Sequence, residues 1–146
     1  MVGMVGSRYL VESDAEGAFQ YVTQFYGLDW SRGQKGIVLR RDGEIIAAAL
    51  YVEFNGTNIF VHVAGSPGRP WLTREFLYWC FHYPFVQLGC KRMTAWIESN
   101  NTASIRFAEK TGWTREAVVD AARLPVRPLA WGTVPGRSGE LIVASS

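Results

Sequence analysis

Three short stretches of this chain hold residue types that can do chemistry. In "FVHVAG", residues 60–65, His62 stands inside an apolar run. Imidazole ordinarily titrates near neutrality, so it can take or give a proton there. In "GSPGRPWLTRE", residues 65–75, Gly65 and Gly68 let the backbone turn tightly, and Pro70 suits a first helical turn, where its missing N–H costs nothing. Arg69 and Arg74 flank that start, at the end of a helix dipole that disfavours cations unless an anion sits between them. A phosphate would resolve the conflict; the plainer reading has both arginines in water. In "SNNTASIRFAEKTGW", residues 99–113, Asn100 or Asn101 can cap a helix, Lys110 suits its negative end, and Gly112 with Trp113 offers a left-handed stop. Ala103, Phe107 and Ala108 form one apolar stripe, so packing alone accounts for this segment locally.

These stretches need a scaffold, and the hydrophobic pattern supplies one. "RYLVES" reads as a strand, and "DAEGAFQYVTQFYGL" as a helix capped by Asp14 with a stripe of Ala18, Tyr21, Val22 and Phe25. The run from Ile37 to Ala64 holds two turn signals, Asp42-Gly43 and Asn55-Gly56, and so reads as three antiparallel strands. If Asn55 and Gly56 are the central pair of a two-residue turn, Tyr51 stands opposite Phe60 and Ala49 opposite His62. Glu53, Tyr51, Phe60 and His62 would then share a face. "WLTREFLYWCFHY" reads as a buried helix with a stripe of Leu72, Phe76, Cys80 and Tyr83, stopped by Pro84. "KRMTAWIES" is a strand, and "TREAVVDAA" and "RPLAWGTV" are two closing strands. The order β-α-β-β-β-α-β-α-β-β predicts an α/β (α+β) fold: a mixed, mostly antiparallel central sheet of six to seven strands with helices on both faces.

Composition fits one domain over residues 1–146, without repeats or low-complexity linkers. With 48% hydrophobic and 19% charged residues the chain is neither disordered nor collagen-like. A net charge of +2 does not argue for nucleic-acid binding. Cys80 and Cys90 form no disulfide framework, and "MVGMVGSRYL" lacks a signal-peptide pattern, so a reducing cytoplasm is expected. The longest uncharged apolar run, "IIAAALYV", is too short to span a membrane. His62, His82, Cys80 and Cys90 are not in a paired metal-ligand spacing, so no metal site is expected.

The element order and two motifs together resemble the GNAT superfamily of acyl-CoA-dependent N-acyltransferases, over roughly residues 8 to 134. "ESNNTASIRFAEKTGW" is similar to that superfamily's Asn-x-x-Ala/Ser helix ending in Glu-Lys-x-Gly-aromatic, as in the ribosomal-protein N-terminal acetyltransferases. "FVHVAGSPGRPWLTREF" occupies the place of its strand, pyrophosphate loop and helix, and "HVAG", "WLTR" and "FHYPFVQLG" are similar to acetyltransferases of phages and prophages. The resemblance implies acetyl-CoA as co-substrate. It implies a pantetheine arm along Val63 and Ala64 with Gly65 at the strand's exit, pyrophosphate on the loop at Gly68, Arg69, Trp71 and Leu72, and Asn101 on the arm or the acceptor side. Two positions depart from the family pattern. The loop lacks its Gln/Arg-x-x-Gly-x-Gly/Ala, and Ala108 stands where many members carry the Tyr that protonates the leaving thiolate.

Transfer to an amine requires a route for the amine's proton, polarisation of the thioester carbonyl and an acid near the sulfur. His62 is the candidate base, with Ser104 and Tyr51 as candidate donors to the sulfur; Glu98 can bind an amine. Each has a structural alternative: a packed imidazole, a hydroxyl bonded to its own helix, a core phenol and a solvated strand end. Trp71, Trp79, Trp96 and Trp131 can line an acceptor pocket or serve the core, and Arg115, Arg123, Arg127 and Arg137 form a solvated rim or meet an acidic substrate. The expected function is an N-acetyltransferase acting on a small-molecule or protein amine, in a possible homodimer. The alternatives are a binding module without turnover and a factor acting on nucleic acid.

Overall fold

The computed structural model describes residues 2–4, 9–25, 28–30, 33–68, 70–98, 102–119 and 139–145. The chain divides into two units, Met1–Val52 with Val61–Gly89, and Glu53–Phe60 with Cys90–Ser146. Among the described residues eight strands follow the order β1-β2-β3-β4-β5-β6-β8-β7. They are β1 (Val2–Met4), β2 (Tyr9–Ser13), β3 (Lys35–Arg41), β4 (Glu44–Val52), β5 (Asn58–Gly65), β6 (Arg92–Glu98), β7 (Thr114–Val119) and β8 (Gly139–Ser145). The helices are α1 (Ala15–Val22), α2 (Arg74–His82) and α3 (Thr102–Lys110). The sheet is mixed and mostly antiparallel, β5 and β6 being the parallel pair.

In the first unit, Asp14 caps α1 by accepting the Gly17 N–H at 2.9 Å, while its own N–H donates to Gly36 C=O at 3.0 Å. The helix stops at Val22 because Thr23 turns its hydroxyl back onto the Phe19 carbonyl at 2.9 Å. Ala18, Tyr21 and Val22 are buried as the spacing predicts, but Phe25 falls beyond the helix and is 47% exposed. Asp42 and Gly43 both take positive φ, 52° and 84°, forming the expected two-residue turn between β3 and β4.

The register of that hairpin decides what covers it. Gly36 pairs with Leu50 and Lys35 with Tyr51, so Gly36 and Tyr51 face opposite sides of the sheet. α1 lies on the Gly36 side, where a Cβ added to Gly36 would stand 2.5 Å from that of Ala18. α2 lies on the Tyr51 side, where the Tyr51 hydroxyl donates to the Cys80 carbonyl at 2.7 Å. Ile37 to Leu39 and Ile46 to Val52 are accordingly all buried.

α2 starts later than expected. Thr73 is its cap, accepting the Phe76 N–H at 3.1 Å, so Pro70 precedes the helix and Leu72, 45% exposed, lies outside the buried stripe of Phe76 and Cys80. Pro84 ends the α-helical pattern as predicted, but the chain continues through a π-helical turn, Tyr83–Gln87, closed by Leu88 N–H to Tyr83 C=O at 3.1 Å. Proline has no N–H for the carbonyl four residues earlier, that of Cys80. The Tyr51 hydroxyl takes that place.

In the second unit, the turn before β5 differs from the expected one. Asn55 N–H bonds Asn58 C=O at 3.2 Å, Asn55 Oδ1 accepts the Thr57 and Asn58 N–H groups, and Glu53 has φ 59°. Gly56 and Thr57 are therefore central, one position beyond the predicted pair. Moving the turn centre by one residue shifts each cross-strand partner by two, which does not by itself turn side chains over. β6 pairs with the first residues of β5, where Thr94 Oγ1 donates to Asn58 Oδ1 at 2.7 Å. α3 ends as its sequence requires: Gly112 has φ 97°, its N–H bonds Glu109 C=O, and Trp113 N–H bonds Ala108 C=O at 3.0 Å. β1 was not expected. Of the two expected closing strands, the first is β7 and "RPLAWGTV" lies outside the described residues; β8 was not foreseen.

The close approach of α1 to β3 is testable. Gly36→Ala should destabilise the fold by about 1–3 kcal/mol through overpacking. Adding Ala18→Gly should recover part of that loss in urea unfolding, and strictly additive effects would show that the two residues do not meet.

Candidate active site

β5 enters the first unit at Val61 and carries His62, Val63, Ala64 and Gly65 in succession. Val61, His62 and Ala64 are buried, and Val63 and Gly65 are partly so. Where the strand ends, the loop to α2 is held from two sides. Ser66 N–H donates to Ile46 C=O at 2.8 Å, and Ser66 Oγ lies 2.7 Å from the Tyr21 hydroxyl, which itself donates to the same carbonyl at 3.0 Å. Further on, the Trp71 indole rests directly on the Gly65 backbone, so close that a Cβ on Gly65 would fall inside the ring. Phe76 meets that indole edge-on, with ring centroids 6.2 Å apart.

The loop's amides divide into two groups. Those of Ser66, Thr73 and Phe76 are paired within the protein. Those of Gly68, Trp71 and Leu72 have no partner among the described residues. They precede the positive end of α2, an arrangement that can receive an anion such as a pyrophosphate. Gly68 has φ 75°, a conformation that only glycine adopts without strain, and it turns the loop there. Arg74 opens the helix and is exposed; Arg69 lies outside the described residues.

His62 is 4% exposed, and burial pushes its pKa down to about 4. It is therefore neutral at pH 7 and stays so well into acid. Tyr51 is fully buried, its ring 5.4 Å from that of Tyr83 and its hydroxyl proton given to the Cys80 carbonyl. Burial raises the Cys80 thiol to about 12, with the Tyr51 hydrogen bond opposing the shift. Asn101 lies outside the described residues, and of Ser104, Trp96 and Glu98 only the backbone is described. Ala108 is 5% exposed and helps to close α3. Trp79 packs against Tyr78 and His82 on α2. Arg115 approaches Glu109 at 3.8 Å, while Trp131, Arg123, Arg127 and Arg137 lie outside the described residues. Among the described residues no group of three His, Cys, Asp or Glu side chains can hold a metal ion, and no helix is long and apolar enough to cross a membrane.

Three positioning residues were not singled out as such from sequence. Tyr21 reads there only as part of a helix stripe, and Ser66 carries no local signal. Thr73 was legible in principle, as a capping residue two before Glu75.

No protein-family model matches the sequence, and no curated protein matches it significantly. Solved structures do. A spermidine/spermine N-acetyltransferase of Vibrio cholerae superposes with a TM-score of 0.72 over 95% of this chain and 93% of that one, at 10% identity. The fold is GNAT-like. An IAA acetyltransferase of Bacillus cereus gives a TM-score of 0.72 at 9% identity, over 94% of this chain and 99% of that one. A dodecameric spermidine N-acetyltransferase of Vibrio cholerae gives 0.72 at 9% identity, over 96% and 95%. At such identities the likeness is one of fold.

Two consequences can be measured. Below pH 6.5 the unfolded chain protonates His62 while the folded chain holds it neutral until about 4, so its contribution to stability is full above 6.5 and falls as pH drops between those values. Over that window wild type should lose up to about 3 kcal/mol more than His62→Gln in urea unfolding; parallel curves would remove His62 as the cause. Tyr51→Phe should cost about 1–3 kcal/mol by leaving the Cys80 carbonyl without a donor, a loss read as a lower urea midpoint.

Proposed function

We propose that this chain is a single-domain N-acetyltransferase of the GNAT superfamily, moving an acetyl group from acetyl-CoA to an amine by direct attack in a ternary complex. The observation that carries the reading is that the N–H groups of Gly68, Trp71 and Leu72 ahead of α2 have no partner among the described residues, in a chain with this fold. They fit the pyrophosphate, with Arg69 and Arg74 supplying charge. We assign the backbone of Val63, Ala64 and Gly65 to the pantetheine arm, and Asn101, by the resemblance alone, to the same cofactor. Acetyl-CoA supplies the activated acyl group.

On this reading His62 receives the amine's proton, entering the reaction neutral as burial dictates, and Ser104 donates toward the sulfur. Tyr51 is the weaker candidate, because its hydroxyl proton is already committed to a backbone carbonyl. The acceptor is an amine; names of similar structures, such as spermidine N-acetyltransferase, fit that class. No metal takes part, and the protein works in the cytoplasm.

Calorimetric titration tests the reading directly. Wild type should bind acetyl-CoA saturably with a dissociation constant of about 1 μM–1 mM, and Asn101→Ala should weaken it about 2–10-fold, the value of one hydrogen bond. No heat at high micromolar ligand would sink the proposal. In an amine panel His62→Gln should lower the rate with CoA affinity unchanged. Because His62 stays neutral down to about pH 4, the wild-type rate should show no His62 titration between pH 6 and 8.

A further inference from the structure

The loop from Gly65 to Thr73 departs from the glycine-rich pattern of the superfamily it resembles, and the structure contains an alternative means of fixing its shape. At the loop's first residue, three groups converge on one point: the Ile46 carbonyl accepts from the Ser66 N–H at 2.8 Å and from the Tyr21 hydroxyl at 3.0 Å, and Tyr21 and Ser66 hydroxyls meet at 2.7 Å. The bond from Tyr21 to the Ile46 carbonyl is buried, where breaking it leaves a costly unpaired group, and the contact between the Tyr21 and Ser66 hydroxyls is partly buried. Near the other end, the Trp71 indole lies flat against Gly65 and is braced by Phe76, while Thr73 N–H bonds Trp71 C=O at 2.9 Å. The amides of Gly68, Trp71 and Leu72, which have no partner among the described residues, all lie between or on these two anchors.

We infer that Tyr21 and Trp71 clamp this loop in one shape before any ligand arrives, and are thereby positioning residues for the pyrophosphate of the acyl donor. The inference rests on the N-acetyltransferase reading for the identity of that ligand. Tyr21 acts through Ser66, fixing the start of the loop against β4. Trp71 acts through Gly65, folding the loop's later part back on the strand end. Neither side chain is required to touch the ligand. Their effect is to remove, before binding, the freedom that the loop would otherwise lose on binding.

The test uses Tyr21→Phe, which keeps the ring and deletes the hydroxyl, and Trp71→Leu, with Ser66→Ala as a milder third variant. Two quantities are read on the intact chain: amide hydrogen exchange over residues 65–73 without ligand, and dissociation constants for CoA and for pantetheine, which has the arm but no pyrophosphate. Each of the first two variants should speed exchange in the loop while leaving β3 and β4 protected. Tyr21→Phe should weaken CoA binding about tenfold with pantetheine binding unchanged, and Trp71→Leu, which removes the ring seated on Gly65, should weaken CoA binding more than pantetheine binding. Unchanged loop exchange overturns the clamp. Faster exchange with unaltered CoA affinity, or equal losses for CoA and pantetheine, overturns the positioning role. If wild type binds no CoA, the N-acetyltransferase reading fails, and the pyrophosphate role with it; if wild type binds CoA and the variants match it, only the clamp fails. Should Trp71→Leu fail to fold, Tyr21→Phe and Ser66→Ala decide alone.

Discussion

The β3–β4 hairpin carries apolar side chains on both of its faces, and a sheet with no polar face must be covered twice. That requirement places α1 against Gly36 and α2 against Tyr51, and much of the first unit follows from it. Because α2 has to return to the sheet directly after β5, the link between them is short, and several of its amides have no partner among the described residues. The candidate site is thus a by-product of covering a hairpin. Its chemistry is that of backbone groups that folding could not pair.

Tight loops that present amides usually depend on glycine, whose freedom lets the chain approach a ligand closely but costs entropy when the loop orders. Here two prolines and a tryptophan interrupt the glycines. The buried Tyr21–Ser66–Ile46 node and the indole seated on Gly65 restrict the same segment by tertiary contact instead. Gly65 is then indispensable for a reason other than its dihedral freedom, since it is the only residue type flat enough to seat the ring.

Where local rules govern, the sequence could be read closely. Asp14 as a cap, Asp42-Gly43 as a turn and Gly112-Trp113 as a helix stop depend on a few neighbouring residues, and each is found as expected. Where two local signals compete, the stronger decides. Pro70 suggests a helix start, yet Thr73 supplies a hydrogen-bonding cap and starts the helix at Arg74, four residues later. Asn55 was read as a turn centre, although its side chain instead bonds the turn from the flank. β8 escaped because "GELIVAS" is a brief apolar run between polar ends, recognisable as a strand only beside β6 and β7. His62 and the loop stand out in the sequence by residue type. The Tyr21 node does not, because it joins residues 25 and 45 positions apart, which periodicity cannot link.

Tyr51 fills the bonding gap that Pro84 opens at Cys80, and the same enclosure governs the cysteine's side chain. A thiol exchanges acyl groups with a thioester only as thiolate, and with its pKa raised to about 12 Cys80 is ionised in about one molecule in 10⁵ at pH 7. At Cys80 the packing that completes α2 also makes the thiol inert.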